Sequence, residues 1–130
     1  MTYAEGALDA IIEDTNGQPF LTQAVAFELV QFLNEQHRKE ATPEDVAEAI
    51  SRAIVSSSVY FANVWTDAQE QGQAFLVALA TGDTPPDDPA ARAWLRENNV
   101  LNDAGDFAVP MVHRWVREVN DSALRVRRFH

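Results

Sequence analysis

The sequence predicts a mainly α protein: a helical bundle followed by a helix-turn-helix that carries one short β-hairpin. Three observations predict it. An amphipathic run ending at Thr15 meets a far more apolar run, Phe20 to Leu33, across the punctuation Asn16-Gly17-Gln18-Pro19. Thr42-Pro43-Glu44-Asp45 has the composition of a helix start. Beyond Gln71, two helical patterns give way to a change of period, Val100-Leu101 and Phe107-Ala108-Val109 around the polar turn Asn102 to Asp106.

The elements follow in order. A first helix is expected over about Tyr3 to Thr15, with Leu8, Ile11 and Ile12 on one face. Asn16-Gly17 supplies a left-handed residue to close it, and Pro19 fits the first turn of the next helix, where its missing N–H costs nothing. Helix two is expected from Pro19 to about His37. Its narrow polar strip of Gln23, Gln31 and Asn34 predicts a central helix with neighbours on several sides. Thr42 caps helix three, Pro43 takes its first position, and Asp45 sits where a capping carboxylate acts. That helix runs to about Val55 with Val46, Ala49, Ile50 and Ala53 inward. Ser56-Ser57-Ser58 is expected to break the chain, with Ser58 capping a fourth helix to about Gln69.

A fifth helix is expected from Gln71 to Ala80, then a turn-rich connection from Thr81 to Asp87. Asp88 caps a sixth helix from Pro89 to about Asn98. The hairpin supplies the only strands expected, and Pro110 opens a last helix to about Val119. Trp94 and Trp115 are expected to bury against the hairpin. Helix, turn, helix, two-stranded wing, helix is the plan of a winged helix.

Composition bounds the function. The 130 residues suffice for one ordinary domain or two very small ones. At 46% hydrophobic, the chain can build a packed core. It has no cysteine, which excludes disulfides, thiolate metal sites and cysteine nucleophiles. The opening residues lack a basic segment followed by an apolar one, so no signal peptide is expected. No apolar run approaches the roughly 20 residues that span a bilayer. A cytoplasmic location without membrane attachment is the expectation. The net charge of −10 disfavours indiscriminate nucleic-acid binding, which depends on neutralising phosphates, and suits contact with other proteins.

Three segments carry a family resemblance. Asp14-Thr15-Asn16-Gly17-Gln18-Pro19-Phe20-Leu21-Thr22-Gln23 resembles the Thr-Gly-Gly-x-Pro-Phe-Leu-x-Gln pattern that starts the helical lid after the ATPase core of bacterial STAND proteins, relatives of the AAA+ ATPases. Ala41-Thr42-Pro43-Glu44-Asp45-Val46 is similar to the Val-Thr-x-Glu-Asp-Val segment further along that lid. Ala93 to Leu101, Gly105 to Pro110 and Trp115-Val116 resemble the recognition-helix position, wing and closing helix of the winged helix that follows such lids. Asn16 replaces the usual first Gly and tolerates the same left-handed conformation. The chain has no Gly-x-x-x-x-Gly-Lys-[Ser/Thr] phosphate loop and no strand ending in an acidic pair for Mg²⁺, so the ATPase core is missing from it.

The domains are therefore read as 1–57, a helical lid-like sub-module; 58–120, a winged-helix sub-module; and 121–130, a basic disordered tail. In the family the Gly-x-Pro joint abuts the adenine side of the nucleotide. The resemblance thus implies that Asn16, Gly17, Gln18 and Pro19 lie near ATP or ADP in an intact ATPase. Local spacing alone favours a plain helix–helix turn at the same place.

Arg92 and Arg96, four residues apart, share the helix face that a DNA-binding winged helix sets in the major groove. The stronger reading is a solvated face paired with Asp88 and Glu97, because Asp87, Asp88, Asp103 and Asp106 surround it. The tail residues Arg125, Arg127 and Arg128 are further candidates for DNA or partner contact. Arg114 and Arg117 are expected to lie over Trp115. His37, His113 and His130 lack ligand spacing, so no metal site is expected, and no catalytic constellation is visible.

The sequence thus points to a non-enzymatic regulatory and protein-interaction module of a STAND/AAA+-like signalling ATPase. Its cofactor would be ATP or ADP held by a P-loop core in cis or in trans, and none in this chain itself. Other proteins are further expected partners. Two alternatives stand beside it: a small DNA-binding winged-helix regulator, disfavoured by net charge, and a structural adaptor without nucleotide coupling.

Overall fold

The computed structural model describes the backbone of residues 1–128 and the side chains of residues 1–121. The elements in order are β1 (Thr2–Tyr3), α1 (Ala7–Thr15), α2 (Pro19–Glu35), β2 (Glu40–Ala41), α3 (Pro43–Ser56), α4 (Ser58–Thr81), α5 (Pro89–Glu97) and α6 (Pro110–Arg128). The chain is mainly helical, and it divides into two compact units, Met1–Val59 and Tyr60–His130.

In the first unit α2 packs chiefly on α3, and α1 packs on α3 as well. α2 buries Leu21, Val25, Leu29 and Leu33, a single i, i+4 stripe. α3 meets it with Val46, Ala49, Ile50 and Ala53, the residues its periodicity places inward. α2 is nevertheless not enclosed. Phe20, Phe27 and Val30 keep 50%, 61% and 42% of their surface exposed, so the expectation of neighbours on several sides is corrected. The helix carries more apolar surface than its packed face covers.

The start of the chain differs from expectation too. Tyr3 lies in β1, which pairs in parallel with β2 through Thr2 opposite Glu40 and Tyr3 opposite Ala41. Gly6, at φ 85°, separates this strand from α1, a backbone state a side chain resists. A two-residue ladder has no periodicity to read, which is why the sequence conceals it. On α1 only Ile11 of the expected trio is buried; Leu8 and Ile12 are exposed.

The α2–α3 connection is tied at both ends. His37 takes φ 54°, and the Arg38 and His37 N–H groups donate to the carbonyls of Leu33 and Asn34 at 3.0 and 3.2 Å, closing α2. Thr42 and Asp45 form a reciprocal capping box. Arg38 grips both carboxylate oxygens of Asp45, which is buried. The guanidinium, against the opposing effect of burial, holds the Asp45 carboxyl down to about 2. Arg52 bridges Glu35 at 3.0 Å and Glu48 at 3.1 Å, and Glu35 is held below its ordinary value by that contact.

In the second unit α4 is broken at Gln69, whose φ 59° and ψ 179° are not helical, so it is two helical arms near the boundary expected between helices four and five. Gly72 makes the kink possible, since a Cβ there would stand 2.9 Å from the Ala68 Cβ. Asp88 caps α5 as expected, accepting from Ala91 N–H at 3.0 Å. The hairpin shrinks to one antiparallel bridge, Leu101 with Phe107, flanked by bonds from Asn102 to Asp106 and from Ala108 to Val100.

The ring partners of Trp115 are not in the hairpin. Trp115 stacks on Phe61 at 5.8 Å and meets Trp65 edge-on at 5.9 Å, both on the first arm of α4. Trp94 lines a cleft at the α4 kink. The aromatic partner of the bridge is His113 instead, stacked on Phe107 at 4.5 Å. α6 continues to Arg128 rather than ending at about Val119. No Gly or Pro after Pro110 stops it.

Candidate functional site

The joint between α1 and α2 is built from Thr15 outward. This threonine is fully buried. Its hydroxyl donates to the Ile11 carbonyl at 2.8 Å, and its oxygen accepts from Gly17 N–H at 3.2 Å. The Gln18 N–H donates to the Thr15 carbonyl at 3.0 Å. Asn16 and Gly17 both take left-handed φ values, 51° and 69°. Gln18 returns to extended backbone, and its Oε1 accepts from Leu21 N–H at 2.7 Å, capping α2. Pro19 then opens the helix.

The four residues therefore form one corner, with Asn16, Gly17 and Pro19 exposed and Gln18 half-buried. A Cβ added to Gly17 would meet nothing within 4 Å. Glycine is needed there for its backbone angle, and the space above it is open. The amides of Gly17 and Gln18 are already engaged, so the corner lacks the converging free donors of a phosphate cradle. What it offers a ligand is the Pro19 ring and the Asn16 side chain.

Arg92 and Arg96 are both exposed on α5. The expected pairing with Asp88 and Glu97 is absent: among the described residues neither arginine joins an ion pair. Asp88 is used as a cap instead. The Arg92 guanidinium lies across the turn of the bridge, where a Cβ on Gly105 would stand 2.8 Å from its Nη2. Arg114 pairs with Glu118 at 2.9 Å. The side chains of Arg125, Arg127 and Arg128, and all of His130, lie outside the described residues.

Sequence reasoning missed one feature, a cleft of about 450 Å³ between the α4 kink and α5. Asp67, Gln69, Gly72, Asp88 and Trp94 line it. Gly72 and the helix boundary expected at Gln69 to Gln71 were the available signals, but neither says which element faces the kink. Among the described residues no group of three or more His, Asp or Glu could hold a metal ion. Nor is any described helix long and apolar enough to cross a membrane.

Comparison with known proteins gives no match, whether to a family model, a curated protein or a solved structure. The resemblance to STAND lids rests on the residues quoted for it.

Proposed function

We propose that the chain is a non-enzymatic regulatory and interaction module of a STAND/AAA+-like ATPase, acting with a P-loop core in cis or in trans. The observation that carries this reading is the corner Asn16 to Pro19. Two left-handed residues, an open space above Gly17 and an exposed Pro19 ring leave room for an adenine to sit against the corner without its binding phosphate. The helix order of the second unit, with its kinked α4, α5, bridge and α6, supports a winged helix as the docking half.

Mechanistically the module is a two-state switch. Bound ADP favours docking of the second unit on the ATPase core, and ATP favours release. Photolabelling the native polypeptide with an azido-adenine nucleotide tests it. Label in the peptide holding Asn16 to Pro19 is the expected result. Label that avoids this peptide removes the adenine-side role.

One observation favours the second reading, a DNA-binding winged helix. Arg92 and Arg96 stand exposed on one face of α5 without ion-pair partners among the described residues. It requires duplex affinity that falls steeply with salt and drops in Arg92→Ala and Arg96→Ala.

A further inference from the structure

The cleft at the α4 kink lies wholly within the second unit, between Asp67 to Gly72 on α4 and Asp88 to Trp94 on α5. Small residues make its space. Ala68, Gly72, Ala90 and Ala91 line a volume of about 450 Å³, within the roughly 300–1,000 Å³ of small-molecule sites. The backbone break at Gln69 turns the chain between Asp67 and Gly72, so both sides of the break line one cleft with α5.

The charged lining has one sign. Asp67 and Asp88 border the cleft, and among the described residues no lysine, arginine or histidine does. The Asp67 carboxylate joins no ion pair among those residues. Asp88 accepts from Ala91 N–H at 3.0 Å through Oδ1, and no cation pairs with it either. Arg92, one turn further along α5, lies over Gly105 instead. The partial positive charge at the start of α5, about half an elementary charge, is outweighed by two full carboxylates.

Trp94 completes the site. It is half-buried, and among the described residues its ring has neither an aromatic nor a cationic neighbour. Trp65 and Trp115, in contrast, pack on each other edge-on. An indole face beside unpaired carboxylates attracts a cation twice, through the ring quadrupole and through direct charge attraction. The same lining repels phosphates and carboxylates.

We infer that this cleft is a binding site for an alkylguanidinium group, its planar head on the Trp94 ring and its N–H donors directed to Asp67 and Asp88. Guanidinium suits the lining better than ammonium does. It is planar, more weakly hydrated and able to stack on an aromatic face, and its fork of donors matches a carboxylate. The exposed rim residues Asp67 and Gln69 leave the cleft wet, which favours the cation that loses least on leaving water. Two sources present this group, a free guanidino compound and an arginine side chain on the surface of another protein. Either would use the same contacts, and neither needs the ATPase link.

The test is a ¹H–¹⁵N NMR titration of the full chain that follows the Trp94 indole signal and the backbone amides of Ala68 and Gly72. The probes are n-butylguanidinium, for a free compound, and acetyl-Gly-Arg-Gly-amide, for a side chain. n-Butylammonium and acetyl-Gly-Lys-Gly-amide are the controls. Expected is a saturable shift with a guanidinium probe, at lower concentration than with its ammonium control, weakening as salt rises. A response to one guanidinium probe alone supports the inference and assigns the source. Trp94→Leu, Asp67→Asn and Asp88→Asn should each weaken binding roughly threefold to tenfold, the scale of one exposed cation–π or charge contact. Asparagine still caps α5 in Asp88→Asn, so the two asparagine variants carry the test if Trp94→Leu does not fold. Glu97→Gln makes the same charge change on α5 outside the cleft and should leave binding unaltered.

No saturable shift with either guanidinium probe would overturn the inference. So would equal affinity for the ammonium controls. A loss in Glu97→Gln as large as in Asp67→Asn would also overturn it, since that is general attraction to an acidic chain. Azido-adenine labelling of Asn16 to Pro19 decides the ATPase reading separately.

Discussion

Thr22 Oγ1 lies 3.2 Å from Thr15 Oγ1, so two threonine hydroxyls seven residues apart meet across the joint of α1 and α2. Thr15 is the centre of the arrangement, because its one buried oxygen also bonds Ile11 and Gly17. Thr15→Val keeps the shape and removes both functions. It should destabilise the chain by about 1–2 kcal/mol, the cost of leaving buried partners unsatisfied. Urea unfolding measures this, with Thr15→Ser as the variant that retains stability. A Thr15→Val midpoint equal to wild type would show the corner held by packing alone.

Gly17 is required for its backbone angle and not for close packing. Gly17→Ala should therefore cost about 1 kcal/mol from left-handed strain. Gly17→Asn should cost less, because asparagine tolerates that conformation. The ranking in thermal melts is the check. An alanine variant more stable than the asparagine one would contradict the assignment.

Asp45 gives the pH dependence. Its folded carboxyl sits at about 2 and its ordinary value is 3.8. The depressed folded value means that its contribution is complete above the ordinary value and is lost as pH falls toward 2. Asp45→Asn removes that slope between about pH 4 and 2. It also weakens the capping box and the Arg38 contact, costing roughly 1–3 kcal/mol at neutral pH. Unfolding free energies across the acid range test both statements. An unchanged acid slope in the variant would place the lost protons elsewhere.

These residues also show what was legible beforehand. The Asn16–Pro19 joint, the Thr42–Asp45 box and the Asp88 cap were readable because capping is local chemistry, written within four residues. The buried stripe of α3 was readable because periodicity reports a face. β1 and β2 were not, since two-residue strands leave no pattern and their pairing joins residues far apart in sequence. Trp115 was identified as a packing residue and assigned to the hairpin, whereas its ring partners, Phe61 and Trp65, lie on α4. Hydrophobicity marks a residue for burial without naming the element that buries it. The exposure of Phe27 and Val30 was hidden for the same reason.

Gln69 holds a backbone state that is nearly exclusive to glycine, at φ 59° and ψ 179°. Gln69→Gly should relieve strain of order 1–3 kcal/mol and lose part of that to chain entropy. A net gain of roughly 1 kcal/mol is expected. Gly72→Ala should destabilise, because its Cβ would stand 2.9 Å from the Ala68 Cβ. Denaturant midpoints of the two variants should move in opposite directions. Movement in the same direction would mean that α4 is not broken at this place.

The most direct measurement is of the native polypeptide that carries this sequence, isolated from its source cells and analysed by mass spectrometry with its tightly associated partners. The account predicts a P-loop segment, either on the same polypeptide above 14.5 kDa or on a protein that co-purifies with it. A species of 14.5 kDa without any P-loop partner would contradict it.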